Sequence, residues 1–437
     1  MIHLITLFEG EKIEDKDAKE EIKGILKKIP DLTRFFKIED PDTNIKVENY
    51  VGFLQVNNIE IDILPKIWKD NKSSIKNIEI ARKNFIYIFS YAVLEPKFLS
   101  PYRYFLKENR INSLKEFILL LYAYSLLDAL KKGICRTYVR RKVESNFLRG
   151  KLLLLDTIRK IDKSKFVMEQ FNLDANNKLN QILSYCSFYC SKGISSVDVK
   201  EKLLQILYIF NSAYVDKVYH KDLRVTFNRL NERFEIPYNY ALLLLKGEKI
   251  YSDLENKTPQ KMLMFLYDMN LLLERFLYNF ISRNKKKIFD FEDINCKSNL
   301  IIEYQQKKKN FIYPPGENKA LLFTIPDIKI ICDGITIIID AKNKIIDIDD
   351  LEGISSDDLY QMFTYSSLYN ADAVLYYPTT RSDHQPISGP YKFYKDAKRN
   401  LWISTLSLDF SENWEEKLIK NLKEDFYRVL KNNQYNH

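Results

Sequence analysis

The chain has 437 residues, too many for a single hydrophobic core, so two or three domains are expected. Hydrophobic residues make up 46% of the chain and charged residues 29%, which excludes a disordered protein and predicts a folded, soluble one. The formal net charge is +9 and its whole excess lies in residues 1–255, so this part could face nucleic acid or an acidic partner, or carry only a solvated lysine-rich surface.

The first part of the chain is predicted to begin with strands. Within residues 1–70 apolar and polar residues alternate, and the segments 47–56 and 59–64 flank Asn57-Asn58, a typical hairpin turn. Helices follow, recognised by their apolar spacing, at about residues 76–95, 114–132, 174–192, 197–216 and 229–246, the last stopping near Gly247. Between them, residues 134–160 are predicted to hold a strand pair rich in Arg and Lys. This part is therefore a β-rich and helical region.

The pattern changes after a polar stretch at residues 247–260. Residues 262–283 are predicted to form a long amphipathic helix. Strands are expected near 299–305, 309–313, 320–331, 335–342 and 372–377, and helices at 357–369 and 412–431. The order of helix, strands, helix and strand indicates a mixed sheet flanked by helices. We predict a multi-domain α/β protein with domains at residues 1–255 and 256–437.

The five cysteines are odd in number and widely scattered, which argues against a disulfide framework and for a reducing compartment. Cys186 and Cys190 could share a helix face, but a zinc site needs four clustered ligands, so we expect buried thiols. The N-terminus does not resemble a signal peptide, and the apolar stretch 117–130 is short for a membrane span and contains Asp128. A cytoplasmic protein that does not enter a membrane is expected.

Two carboxylates and a lysine interrupt the apolar strands of the second part. Asp327 stands where one strand begins, and Asp340 and Lys342 end a run of isoleucines. Residues two apart on a strand project from the same face, and burying an unpaired charge is costly. Carboxylate oxygens suit Mg²⁺, which would lower the pKa of a bound water that Lys342 orients or activates. These residues predict a metal-dependent phosphodiesterase site, although an Asp-x-Lys at a strand end can also be a plain surface pair.

The sequence Pro326-Asp327, then twelve residues, then Asp340-Ala341-Lys342 resembles the signature of the PD-(D/E)xK nuclease superfamily. This resemblance implies a restriction-endonuclease-like fold for residues 256–437. It also implies Mg²⁺, with Mn²⁺ as a possible substitute, held by Asp327, Asp340 and the backbone carbonyl of Ala341.

Two further elements resemble parts of the same superfamily. Glu274 lies in the helix before the sheet, where members often place an acid that serves the water shell of the metal; an ion pair with a neighbouring Arg or Lys is the alternative. Gln361 and Tyr365, four apart on one helix face, resemble the Gln-x-x-x-Tyr element of RecB-like members, in which the pair lies against the active site and DNA. A buried Gln–Tyr pair without function is the alternative there.

Segments elsewhere resemble the McrC family, the nuclease subunit of McrBC-type restriction systems, over about residues 45–380. They are Tyr50-Val-Gly-Phe53, Ile63-Leu-Pro-Lys-Ile67, Asn146-Phe-Leu-Arg-Gly-Lys-Leu152, Asn176-Asn-Lys-Leu-Asn-Gln-Ile182, Asn228-Arg-Leu-Asn-Glu-Arg-Phe234 and Tyr267-Asp-Met-Asn270. The resemblance implies an N-terminal region that docks on a McrB-like AAA+ GTPase ring and a C-terminal domain that cuts double-stranded DNA. The ring would bind GTP, recognise and translocate DNA, and be stimulated by this chain. The basic segment 136–149 is either part of the docking element or a plain exposed hairpin.

The chain has no Gly-x-x-x-x-Gly-Lys-Ser/Thr, so it is not expected to bind a nucleotide through a P-loop. Two alternatives share its motifs. One is a stand-alone RecB-like repair or recombination nuclease with the same carboxylates and no dependence on a GTPase. The other is a scaffold that activates the GTPase without cutting DNA, which the intact Asp327, Asp340 and Lys342 argue against.

Overall fold

The computed structural model of the chain describes most of its residues, in segments separated by gaps. These segments are residues 2–28, 30–40, 44–69, 75–93, 113–162, 164–192, 194, 196–211, 223–252, 262–294, 296, 299–305, 309–312, 322–346, 353–380 and 386–435. No helix within these segments is both long enough and apolar enough to cross a membrane.

Helices and strands alternate along the described segments. The helices are α1 (Lys16–Lys28), α2 (Ile75–Ala92), α3 (Leu114–Leu130), α4 (Leu154–Ile158), α5 (Lys178–Ser191), α6 (Val197–Ile209), α7 (Glu235–Ser252), α8 (Met269–Ile288), α9 (Ser356–Tyr369) and α10 (Trp414–Tyr435). The strands are β1 (His3–Phe8), β2 (Phe36–Asp40), β3 (Asn44–Val47), β4 (Tyr50–Val56), β5 (Ile59–Leu64), β6 (Thr137–Ser145), β7 (Lys151–Leu152), β8 (Phe166–Asp174), β9 (Met262–Asp268), β10 (Ile301–Tyr304), β11 (Lys309–Ile312), β12 (Leu322–Thr324), β13 (Ile328–Cys332), β14 (Ile335–Ala341), β15 (Asp372–Thr379), β16 (Ser388–Lys392) and β17 (Asn400–Ser407). Short 3-10 turns lie at Pro30–Phe35, Lys66–Trp68 and Glu232–Phe234.

A four-stranded sheet in the order β1-β5-β4-β9 combines three strands of the first part with β9, which comes from residues 262–268. The predicted hairpin at Asn57 is confirmed: β4 and β5 pair antiparallel, and Asn57 takes a positive φ of 50° in the turn. Apolar residues cover both faces of the sheet. Leu54, Ile61 and Met264 pack with residues of α1 on one face, whereas Phe53 and Phe265 belong to the main core on the other.

A three-stranded sheet, in the order β6-β8-β7, lies within the first part of the chain. We call residues 137–174 the arm. Many of its apolar side chains lie in solvent, such as Phe147, which is 80% exposed. Exposed apolar side chains concentrated in one element are a common feature of binding surfaces.

The second part contains a six-stranded sheet in the order β10-β13-β14-β15-β17-β16. Strands β13 and β14 form an antiparallel hairpin closed by Asp333 and Gly334, both at positive φ as a tight two-residue turn requires. Beyond β14 the neighbours β15 and β17 run parallel. Ile337 and Ile339 face the main core and Ile338 faces a smaller core under α9, so β14 is buried on both sides. The predicted mixed α/β arrangement with the acidic strands in its middle is confirmed.

Several sequence-based expectations are wrong in detail. Residues 262–268 form β9 rather than the first turns of the predicted helix, which begins at Met269 as α8. The predicted strand 320–331 is two strands, β12 and β13, and residues 1–70 also contain the helix α1. The main partner of β6 is β8, which lies outside the predicted pair at 134–160.

The end of one helix and the state of the cysteines also differ from expectation. Helix α7 continues past Gly247 to Ser252. The cysteine expectation is only partly right, since Cys296 and Cys332 form a disulfide with Cα atoms 5.0 Å apart, whereas Cys186 and Cys190 are buried thiols outside any disulfide. The domain boundary after residue 255 stays a prediction.

Candidate active site

The end of the β13–β14 hairpin brings two carboxylates together. Ile328 pairs with Ile339 in the antiparallel register, so the next residues outward, Asp327 and Asp340, stand opposite each other. The backbone N–H of Ala341 donates to Oδ2 of Asp327 at 3.2 Å, which ties the two strand ends. The β-branched residues on either side favour the extended pairing, and the local sequence alone thus aligns the two acids.

Asp340 is a buried carboxylate paired with a lysine. Its side chain is 1% exposed. The ammonium Nζ of Lys342 lies 2.6 Å from Oδ2, so the two groups form an ion pair. Burial raises the pKa of Asp340, and Lys342 opposes this increase. An ionised carboxylate has several acceptor positions, so an ion pair at one oxygen leaves others for a cation.

The neighbouring acids also resist ionisation. Burial, followed by the negative charges of Asp340 and Glu274, raises the pKa of Asp327 to about 9. Burial and the same repulsion from Asp340 raise the pKa of Glu274, on α8, to about 7. Carboxylates that repel one another in a low-dielectric site hold protons until a cation replaces them. A divalent metal ion would displace these protons and neutralise the negative charge of the ionised carboxylates.

A hydrogen-bonded chain holds Lys342 in place. Its Nζ donates to Oε1 of Gln361 at 2.7 Å, Nε2 of Gln361 donates to the hydroxyl of Tyr365 at 2.9 Å, and that hydroxyl donates to the carbonyl of Ile325 at 3.1 Å. Burial disfavours the charged lysine, but Asp340 and Asp327 outweigh it and raise the pKa of Lys342 above its ordinary value. Lys342 is therefore a fixed cation beside the carboxylates.

The structure thus brings together all of the side chains that the sequence singles out: Asp327, Asp340, Lys342, Glu274, Gln361 and Tyr365. Sequence reasoning missed Gln305, whose Nε2 donates to Oε2 of Glu274 at 2.9 Å and whose backbone N–H donates to the carbonyl of Asp327 at 3.1 Å. Gln305 has no distinguishing sequence signal, because it stands in a polar run after β10. It links the helix of Glu274 to the strand of Asp327.

The donor set fits a metal only if the main chain or water takes part. Among the residues that the structure describes, no three His, Cys, Asp or Glu side chains cluster closely enough to hold an ion by themselves. Mg²⁺ commonly uses one or two carboxylates and keeps several waters. Asp327 and Asp340 fit that habit, and the ligand set that adds the carbonyl of Ala341 stays a prediction.

The raised pKa of Asp327 predicts a pH-dependent stability. The pKa of this carboxyl rises from 3.8 in the unfolded chain to about 9 in the folded one. Its contribution to stability is complete below the lower value, falls as pH rises, and is lost once pH has passed through about 9. Metal-free protein should therefore be less stable at about pH 8 than at about pH 5. Asp327→Asn, which cannot ionise, should raise the melting temperature at the higher pH and change it little at the lower. Calorimetry in EDTA checks this, and a lowered midpoint at the higher pH would contradict it.

Comparison with known proteins identifies the family of the chain. A family model described as McrBC 5-methylcytosine restriction system component matches residues 45–378, more than half of the chain. The chain belongs to this McrBC family. The resemblance to McrC over residues 45–380 is thereby confirmed. No curated protein matches the chain.

Two solved structures of Thermococcus gammatolerans proteins resemble this McrBC family member. The refined half-complex from a tetradecameric assembly of McrB AAA+ hexamers with bound McrC contains a chain with a TM-score of 0.71 and 23% identity, covering 98% of this chain and 100% of that one. The cryo-EM structure of the McrBC complex contains a chain with a TM-score of 0.51 and 26% identity, covering 64% of this chain and 88% of that one. The first likeness shows a shared fold along nearly the whole chain.

Proposed function

We propose that the chain is the DNA endonuclease subunit of a McrBC-like restriction complex, with a PD-(D/E)xK active site that depends on Mg²⁺. One observation carries this proposal: the buried Asp340 stands opposite Asp327 and beside a lysine held by Gln361. The two carboxylates repel each other, and the single lysine offsets only part of that repulsion. A bound cation would offset the rest.

Each side chain has a defined task in the proposed reaction. Asp327, Asp340 and the carbonyl of Ala341 would hold Mg²⁺ or Mn²⁺, which when bound supplies positive charge beside a phosphate oxygen and lowers the pKa of water. Lys342 keeps its proton and orients the attacking water, since its raised pKa excludes a neutral amine at neutral pH. Glu274 accepts hydrogen bonds from water near the carboxylates. Gln361 fixes the lysine, and the buried Tyr365 accepts a hydrogen bond from Gln361 and so keeps that amide in place.

The proposed partner is a McrB-like AAA+ GTPase ring that binds GTP and delivers double-stranded DNA. The T. gammatolerans relative is seen with McrB AAA+ hexamers, and this chain shares its fold. The arm supports docking, because it exposes both apolar and basic side chains. Exposed apolar residues of the arm are Tyr138, Phe147, Leu148, Leu154, Leu155, Ile158, Ile161, Phe171 and Leu173. Large exposed apolar side chains in a basic setting are typical binding anchors.

The experiment that tests the proposal measures cleavage of a duplex containing 5-methylcytosine with the chain, its GTPase, GTP and Mg²⁺. We expect efficient cleavage only with all components, because the acidic and basic residues of 256–437 balance and attract DNA weakly over distance. Efficient cleavage by the chain alone, unaffected by the GTPase, would favour the stand-alone RecB-like nuclease. Stimulated GTP hydrolysis with no cleavage under any condition would favour the scaffold.

Measuring the affinity of the chain for its GTPase tests the arm. The double variant Phe147→Ala, Leu148→Ala should weaken binding of the GTPase by about 30-fold or more, as expected for the loss of interface anchors. Tyr208→Ala is the matched control, because Tyr208 is an exposed aromatic on α6, outside the arm. Equal binding by the arm variant and the control would show that the ring docks elsewhere.

A further inference from the structure

Three strand ends from different parts of the chain meet beside the candidate active site. Glu9 directly follows β1, Lys66 lies two residues beyond β5, and Asn343 lies two residues beyond β14. Glu9 and Asn343 are each only 5% exposed. The strands β1 and β5 belong to the first sheet and β14 to the second, so this point joins the two parts of the molecule.

Specific contacts hold the junction together. Nδ2 of Asn343 donates to both carboxylate oxygens of Glu9, at 3.1 and 3.2 Å. Nζ of Lys66 lies 3.6 Å from Oε1 of Glu9. The backbone N–H of Glu9 donates to the carbonyl of Leu64 at 2.8 Å, which fixes the carboxylate on the first sheet. A buried carboxylate is costly unless it is paired, so an apolar contact would be the cheaper way to close this junction.

The junction acts directly on the backbone of the lysine. Asn343 follows Lys342 in the chain, and the described residues 342–346 belong to no helix or strand. The backbone N–H of Lys342 still bonds to the carbonyl of Tyr376 at 2.9 Å, but the main chain then leaves the sheet. The amide of Asn343, held by Glu9, is one side-chain anchor of this segment, and Lys344, bonded to Ser355 and Asp358, is another. Of these two anchors, only Asn343 connects the segment to the first sheet.

We propose that Glu9 is a positioning residue for Lys342, through which the first sheet sets the geometry of the active site. This inference rests on the proposed nuclease function. Its physical basis is that a displacement of about 1 Å at a reacting group can cost on the order of 10²-fold in rate. A change at β1 or β5, when the first part of the chain engages a partner, would reach Lys342 through Glu9 and Asn343.

The test uses the full chain with its GTPase and compares three variants. Glu9→Ala removes the acceptor and should lower the single-turnover cleavage rate by roughly 10- to 100-fold. Glu9→Gln keeps one carbonyl acceptor for Asn343 and should restore most of that rate. Glu11→Ala is the matched control, because Glu11 lies nearby but bonds to Phe8 N–H at 2.7 Å and pairs with Lys69 at 2.9 Å, within the first part.

The readouts separate positioning from loss of structure. For Glu9→Ala we expect unchanged DNA affinity, unchanged half-saturating Mg²⁺ and unchanged stimulation of GTP hydrolysis, with only the rate reduced. A wild-type rate, or a parallel loss of cleavage and GTPase stimulation that Glu9→Gln does not restore, would overturn the inference. Asp340→Ala is measured alongside: if it cuts normally, the proposed function fails, whereas an inactive Asp340→Ala beside a fully active Glu9→Ala refutes only the role of Glu9.

Discussion

Replacing Asp340 by alanine should lower DNA cleavage by on the order of 10³-fold or more, while partner binding and stimulation of GTP hydrolysis persist. A hard cation would lose a direct oxygen ligand that no neighbour can replace. The docking surface should be unaffected, because Asp340 is buried at the end of β14, far along the chain from the arm. Cleavage and GTP hydrolysis by the reconstituted complex are the measurements.

A second buried acid gives the matched control. Asp372 is fully buried like Asp340, but its oxygens accept hydrogen bonds from Asn400, Trp402 and Asn433 at 2.9–3.2 Å. Asp372→Ala would leave those donors unsatisfied and should lower the melting temperature markedly. Asp340→Ala removes the ion pair with Lys342 but also the repulsion of Asp327, so it should melt closer to the wild type in EDTA than Asp372→Ala does. Wild-type cleavage by Asp340→Ala, or the reverse order of melting temperatures, would contradict the assignment.

The charged residues of the site could be predicted from the sequence because the pairing of their strands is local. A two-residue turn at Asp333-Gly334 fixes the register of β13 against β14, and this register brings Asp327 beside Asp340 and Lys342. Gln361 and Tyr365 could be predicted as a pair because a helix places residues four apart on one face. Their contact with Lys342 then requires only that α9 packs beside β14. Each prediction thus depends on short-range geometry.

Residues whose partners are remote in sequence were not predictable in this way. In the run Met262–Asp268 every residue before Asp268 is apolar or aromatic, and such a run fits a helix as well as a strand. Its pairing with β4, more than two hundred residues earlier, decides the outcome. Gly52 shows how specific that pairing is: its φ is +132°, and a Cβ there would lie 1.9 Å from the carbonyl oxygen of Phe265. The glycine in Tyr50-Val-Gly-Phe53 therefore permits close approach of β9. The contact of Glu9 was likewise not predictable from the sequence, because only the folded chain places Glu9 beside Asn343.

Replacing Lys342 by alanine should lower cleavage by several orders of magnitude, on the order of 10³-fold, while leaving Mg²⁺ affinity nearly unchanged or slightly higher. The ammonium lies 2.6 Å from Asp340 and repels a cation, so its removal favours metal binding. It also lowers the pKa of both Asp327 and Asp340, so its removal strengthens proton competition for the same oxygens. The two effects oppose each other, which is why the affinity changes little although the rate collapses.

Calorimetric titration with Mg²⁺ beside single-turnover cleavage separates the two quantities for Lys342→Ala. Gln361→Ala is the graded comparison: it removes the 2.7 Å acceptor of Nζ but leaves the charge in place. It should therefore reduce the rate by less than Lys342→Ala, roughly 10- to 100-fold, because the lysine is misplaced rather than absent. A large loss of metal binding in Lys342→Ala would contradict this balance and assign the lysine a structural role in holding the carboxylate pair.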